Sequence, residues 1–160
     1  MRNKLGLNEE KLLLVEKRIV NTKLNLLDEE FLFSENIFSL EYIKQIHNFL
    51  FSDLYYEEEL SLRILSNEET KYIEVLFNSI KEICINNYKC IEILMETLVK
   101  LWELQVFKDG NTRTLLGYLS VLNKAFILNL NIDLNKEIKS RPSELCNNNF
   151  VNQKQLTKVK

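Results

Sequence analysis

Glycine and proline are nearly missing from this chain, which has three Gly and one Pro in 160 residues. These residues punctuate strands with turns, so their shortage argues against a sheet-rich architecture with many tight connections. Cysteine is scarce too. Cys84, Cys90 and Cys146 are odd in number and show no C-x-x-C spacing, a pattern of reduced, mostly buried thiols in a cytosolic protein. No apolar run reaches the roughly 18 residues of a membrane span. Met1-Arg2-Asn3-Lys4 leads into charged Glu9, Glu10 and Lys11 instead of a signal-peptide core. A basic face is also absent. The net charge is -2, and there is no basic cluster beyond the thinly spread Lys154, Lys158 and Lys160, which excludes the electrostatic footprint of a nucleic-acid partner. The expectation is a cytoplasmic protein with no membrane and no nucleic-acid partner.

What the chain does contain is ordinary for a globular protein, with 46% apolar and 28% charged residues. Leu, Ile, Lys, Glu and Asn occupy long uninterrupted stretches, and the predicted fold class is all-α. The length suits one domain with its own core. We place that domain at residues 1–150 and a polar C-terminal tail at 151–160.

Apolar spacing locates the helices. Leu12, Val15 and Ile19 predict a first helix from about Asn8, its N-cap, to Leu26. Ser39 caps a second, with Leu40, Ile43, Ile46 and Leu50 on one stripe, ending near Ser52-Asp53. Tyr55 to Arg63 is charged and aromatic and fits one or two helical turns. Leu62 to Asn67 is the place for a small hairpin or extended flap. Ile73, Leu76, Ile80 and Ile83 predict a helix from Glu68 to about Asn86. Ile91, Leu94, Leu98 and Leu101 predict the next, and Gln105 closes that seam at the helix C-terminus. Leu115, Leu119, Leu122 and Phe126 mark a further helix, with Arg113, Leu116 and Ser120 on a different face. Asp133 caps a short helix to about Lys139, and Pro142 begins another.

Between two of the most periodic stretches lies Gln105-Val106-Phe107-Lys108-Asp109-Gly110-Asn111-Thr112-Arg113. In a chain that avoids glycine, Asp109-Gly110-Asn111 marks a tight turn opening a helix. Such a turn can aim backbone N–H groups at an anion, with a carboxylate for a metal ion and an arginine for phosphate. The residues also admit plainer roles: Phe107 as core, Asp109 as a turn residue, Asn111 as an N-cap and Arg113 as a solvated charge.

This loop resembles the signature of the Fic/Doc family, H-x-F-x-(D/E)-G-N-(G/K)-R-x-x-R, at Phe107, Asp109, Gly110, Asn111 and Arg113. A second resemblance lies in Ile46-His47-Asn48-Phe49-Leu50-Phe51-Ser52-Asp53-Leu54-Tyr55, similar to the family segment I-H-x-x-L-F-x-x-(V/L)-Y, with Arg63 where that region usually carries an Arg. The two segments span roughly residues 40 to 130 in the family's order. The resemblance implies a Fic-type helical bundle around a helix-loop-helix motif, and transfer of AMP from ATP to a target hydroxyl. It further implies that Phe107 anchors the loop, Asp109 holds Mg2+, and Gly110, Asn111, Thr112 and Arg113 bind nucleotide phosphate.

Departures from the signature bear on activity. Gln105 replaces the catalytic His and has no titratable nitrogen, and losing a general base typically costs about 10² to 10⁴ in rate. Thr112 stands where the nest has its second Gly, with expected strain of roughly 1 to 3 kcal/mol if that backbone needs positive φ. Leu116 replaces the second Arg, a phosphate contact worth roughly 1.5 to 3 kcal/mol. The resemblance therefore implies a degenerate domain with impaired or absent adenylyl transfer. The alternatives are a divergent transferase using another nucleotide or phosphate-containing donor, and a non-catalytic helical interaction protein, for example a homodimer. His47 is expected to be a packed structural imidazole, not a substitute base. The stretch from Arg63 to Glu68 is shorter than the family's target-docking hairpin. An inhibitory (S/T)-x-x-x-E-(G/N) helix is not completed at Thr70, Ser140 or Glu35-Asn36, so a separate antitoxin-like protein is the expected regulator of an active form.

Overall fold

The computed structural model describes residues 1–31, 36–86 and 91–126. They form α1 (Glu9–Phe31), α2 (Leu40–Phe51), α3 (Asn67–Ile85), α4 (Ile91–Glu103) and α5 (Asn111–Phe126), with a single 3-10 turn at Glu57–Glu59 and no strand longer than an isolated bridge among the described residues. The fold is all-α. No helix among the described residues is long and apolar enough to cross a membrane. The short helix expected from Asp133 to Lys139, the start at Pro142, the tail at 151–160, and Cys90 and Cys146 lie outside the described residues.

Local chemistry explains the helix starts. Asn8 accepts from the Lys11 N–H at 3.0 Å, with Glu9 and Glu10 in the first turn of α1, where carboxylates complement the helix dipole. Ser39 caps α2 through the Tyr42 N–H. Ser66 and Glu69 form a reciprocal capping box at α3. The first helix runs past the expected Leu26 to Phe31, because Val20, Leu24 and Leu27 continue its inward stripe beyond Ile19. The segment from Tyr55 to Arg63 yields only the 3-10 turn.

The centre of the bundle is α5, which packs against α1, α2, α3 and α4, while α3 and α4 pair with each other. Gly117 allows the closest approach: a Cβ there would lie 2.6 Å from Leu27 Cδ2, so α1 and α5 meet without side-chain spacing. The core is one cluster, with Val20, Ile46, Leu50, Ile80, Leu94, Leu98, Trp102, Tyr118 and Leu122 all fully buried. Of the predicted α5 stripe, Leu115, Leu119 and Leu122 are buried, whereas Phe126 is half-buried and rests on Phe38. Thr114, Tyr118 and Val121 are also enclosed, a width that follows from neighbours on several sides.

No hairpin occurs at Leu62 to Asn67. The segment is extended, and it pairs with the 105–113 loop: Leu62 bridges antiparallel to Phe107, and the Arg63 N–H donates to the Val106 carbonyl at 2.9 Å.

Candidate functional site

The loop that joins α4 to α5 is held by its own polar groups. As α4 ends, the Leu104 and Gln105 N–H groups turn back to the Leu101 and Trp102 carbonyls, and Gln105 adopts φ 45°, the left-handed conformation that closes many helices. The Gln105 side chain donates to the Trp102 carbonyl at 2.9 Å and accepts from the Asn111 amide at 3.2 Å. Arg63 adds an external cap. Its guanidinium donates to the Leu104 and Gln105 carbonyls and is clasped by Glu69. That contact holds the Glu69 carboxyl down to about 2.

Asn111 clamps the base of the loop. Its side-chain oxygen accepts from the Phe107 N–H at 3.1 Å and its amide donates to the Phe107 carbonyl at 2.9 Å. Phe107 is buried and stacks on the His47 imidazole with centroids 3.8 Å apart. The Nε2 of His47 donates to the Asp109 carbonyl at 2.8 Å, which places the proton on that nitrogen because a carbonyl only accepts. Nδ1 is then a buried acceptor with no hydrogen-bond partner among the described residues. Burial drives the His47 pKa down to about 4, opposed by the Asp109 carbonyl and assisted by Arg113. A neutral imidazole committed to the loop from below matches the expected structural His.

Gly110 has φ 82° and is the residue that the turn requires. A Cβ there would meet Phe51 Cε2 at 2.6 Å and His47 Nε2 at 3.2 Å. The expected strain at Thr112 does not arise. Thr112 lies in the first turn of α5, positive φ among the described non-glycine residues falls only at Asn36 and Gln105, and the Thr112 hydroxyl accepts from Trp102 Nε1 at 3.2 Å. The turn needs its left-handed residue one step before the helix starts, at Gly110 and not within the helix.

The predicted ligand groups are brought to one end of α5, but several are already engaged. Asp109 is exposed, and its Oδ1 accepts from the Gly110 N–H at 2.8 Å. Arg113 pairs with Glu16 of α1 and stacks over the Phe51 ring at 5.2 Å. Glu16 is buried and also accepts from the Tyr55 hydroxyl. Burial, followed by Glu16, raises the Tyr55 pKa. The Asn111, Thr112 and Arg113 N–H groups open the helix, where backbone donors lack an intrahelical acceptor. Gly110 immediately before them contributes no side chain to cap them.

As a metal site, the loop offers one carboxylate. No group of three or more His, Cys, Asp or Glu that could hold a metal ion occurs among the described residues. Asp109 alone suits Mg2+ only in the mode where phosphate oxygens and water complete the octahedron.

The residues that periodicity missed are Glu16, Tyr55, Glu59 and Trp102, each a partner of the loop or of α5. Glu16 carried a readable signal, because it falls on the inward face of α1 between Leu12 and Val20, and a carboxylate there needs a buried partner. Compared with known proteins, the chain matches no family model and no curated sequence to a significant degree.

Proposed function

We propose that the chain is a Fic-like protein whose loop from Gln105 to Arg113 holds a nucleotide phosphate at the N-terminus of α5, with adenylyl transfer impaired or absent. The observation that supports this reading is the head of α5. Gly110 is pressed onto Phe51 and His47 and brings no capping side chain to the N–H groups that open the helix, beside the exposed carboxylate of Asp109. Backbone donors and the helix dipole favour an anion there. ATP with Mg2+ is the proposed ligand. Asp109 would supply one metal oxygen, and Arg113 would reach phosphate by leaving Glu16.

Gln105 accounts for the loss of chemistry. Its amide is occupied as helix cap and as partner of Asn111, and it has no basic nitrogen to take a proton from an attacking hydroxyl. In this reading the protein acts in the cytoplasm, without nucleic acid or membrane.

Calorimetry tests the proposal. Magnesium-dependent heat with ATP is expected, weakened about tenfold or more in Asp109→Ala and Arg113→Ala, the loss of one charge-assisted contact each. No heat with ATP, or heat unchanged in both variants, overturns it. Restoring Gln105→His together with Thr112→Gly and Leu116→Arg, followed by labelled ATP, separates a decayed loop from a lost cleft: self-labelling means that only the loop has decayed.

A second reading, a non-catalytic helical interaction protein, is favoured by one specific observation. The side chains of Gln105, Asn111 and Arg113 all bond within the chain. It predicts that Asp109→Ala leaves the protein's cellular role intact.

A further inference from the structure

The first residues of the chain run along the end of α2 and reach the loop through a single carboxylate. Asn3 bridges antiparallel to Tyr55, and the Lys4 N–H donates to the Leu54 carbonyl at 2.7 Å. The Asn3 side chain folds this stretch on itself by accepting from the Leu5 and Leu7 N–H groups, both at 3.1 Å. Arg2 then clasps the 3-10 turn. Its backbone N–H and Nε both donate to Glu59 Oε2, at 3.1 and 3.4 Å, and its guanidinium pairs with Glu58. The other oxygen of Glu59 accepts from Lys108 Nζ at 2.7 Å.

Lys108 lies between Phe107, which Asn111 clamps, and Asp109, whose carbonyl His47 holds. Glu59 is the buried pivot between two exposed cations, its side chain 9% exposed against 64% for Arg2 and 60% for Lys108. None of residues 1–7 is buried, so this stretch is attached by polar contacts with little apolar area, the profile of a segment that opens at low free energy.

We propose that residues 2–7 form a strap whose seating governs the mobility of the 105–110 loop, with Glu59 as relay and Lys108 as its contact on the loop. When Arg2 holds one oxygen of Glu59, the other is aimed at Lys108. When the strap lifts, the carboxylate is free to rotate and the Lys108 pair becomes an isolated surface contact of small worth. The loop then loses an attachment that lies outside its own hydrogen bonds. This inference concerns the conformation of the loop and does not depend on the loop binding phosphate.

Amide hydrogen exchange on the full chain tests it. Arg2→Ala touches nothing in the loop, yet it is expected to speed exchange of the Phe107 and Gly110 amides about threefold to fivefold, the scale of one partly exposed ion pair. Core amides of α4 and α5 stay unchanged. In a Lys108→Ala background, adding Arg2→Ala gives no further acceleration at those two amides. The proposal is overturned if Arg2→Ala accelerates exchange only in residues 2–7 and 54–60. It is overturned equally if the effects of Arg2→Ala and Lys108→Ala on the loop simply add.

Discussion

At the scale of the residue, the loop distributes conformational demand and burial with little redundancy. Positive φ is carried by Gly110, where Phe51 and His47 leave no space for a Cβ, and by Gln105, whose side chain compensates with bonds to Trp102 and Asn111. His47 is the only histidine in the chain, so its titration can be read without interference from another imidazole. The unfolded chain takes up that proton near pH 6.5, whereas folded His47 resists protonation until about 4. Across this window the unfolded state binds more protons, and stability falls as pH falls, approaching about 1.4 kcal/mol per pH unit. Lys108 first and then Arg2 hold Glu59 down to about 2, and Arg63 does the same for Glu69, so their contribution is present above the ordinary carboxylate range and is lost only in stronger acid. Urea midpoints measured from pH 6.5 to 5 are therefore expected to decline in the wild type and to stay flat in His47→Gln. A flat wild-type profile would mean that His47 is not buried neutral.

At the scale of the element, α1 is joined to α5 by more than apolar contact. Gly117 brings the two helices together at Leu27, and further along Glu16 reaches both Arg113 and the Tyr55 hydroxyl. Glu16 is 6% exposed and Arg113 29% at the side chain, so the pair is only partly shielded from solvent. Its coupling belongs between that of a surface bridge and that of a buried one. A double-mutant cycle of Glu16→Gln and Arg113→Met in urea is expected to give a coupling of about 1 to 2 kcal/mol. A value near zero would show that the contact contributes nothing to α1 docking. Arg63 acts in the same way between elements, linking the start of α3, through Glu69, to the carbonyls that end α4.

At the scale of the whole molecule, the described helices share one core, and Trp102 sits within it. Trp102 is the only tryptophan, 1% exposed, and it donates from α4 to Thr112 in the first turn of α5. Its fluorescence therefore reports the junction of α4, the loop and α5, while far-UV circular dichroism reports all helices together. Because every other described α-helix contacts α5 and all contribute to one core cluster, the two urea transitions are expected to coincide, as in a two-state domain. Separate transitions would show that the α3–α4 pair unfolds apart from the remainder.

The sequence by itself determined the helices and the turn. Sparse Gly and Pro, spacing by three and four, and the caps at Asn8 and Ser39 are local chemistry that acts within one or two turns of chain, and they placed the start of α1 and the spans of α2 to α5 within a few residues. The end of α1 was less legible, because the packing of Leu27 against α5 prolongs it. The loop was legible as a turn before a helix, as was the burial of Phe107 and His47. Only the tertiary structure decided what the charged and polar groups of that loop do. Arg113 meets Glu16 across 97 residues of sequence, Lys108 meets Glu59 across 49, and the extended segment at Leu62 pairs with Phe107 instead of folding on itself. The physical reason is that helix formation follows from neighbours along the chain, whereas a buried carboxylate or a guanidinium is satisfied by whichever partner the packing brings within reach.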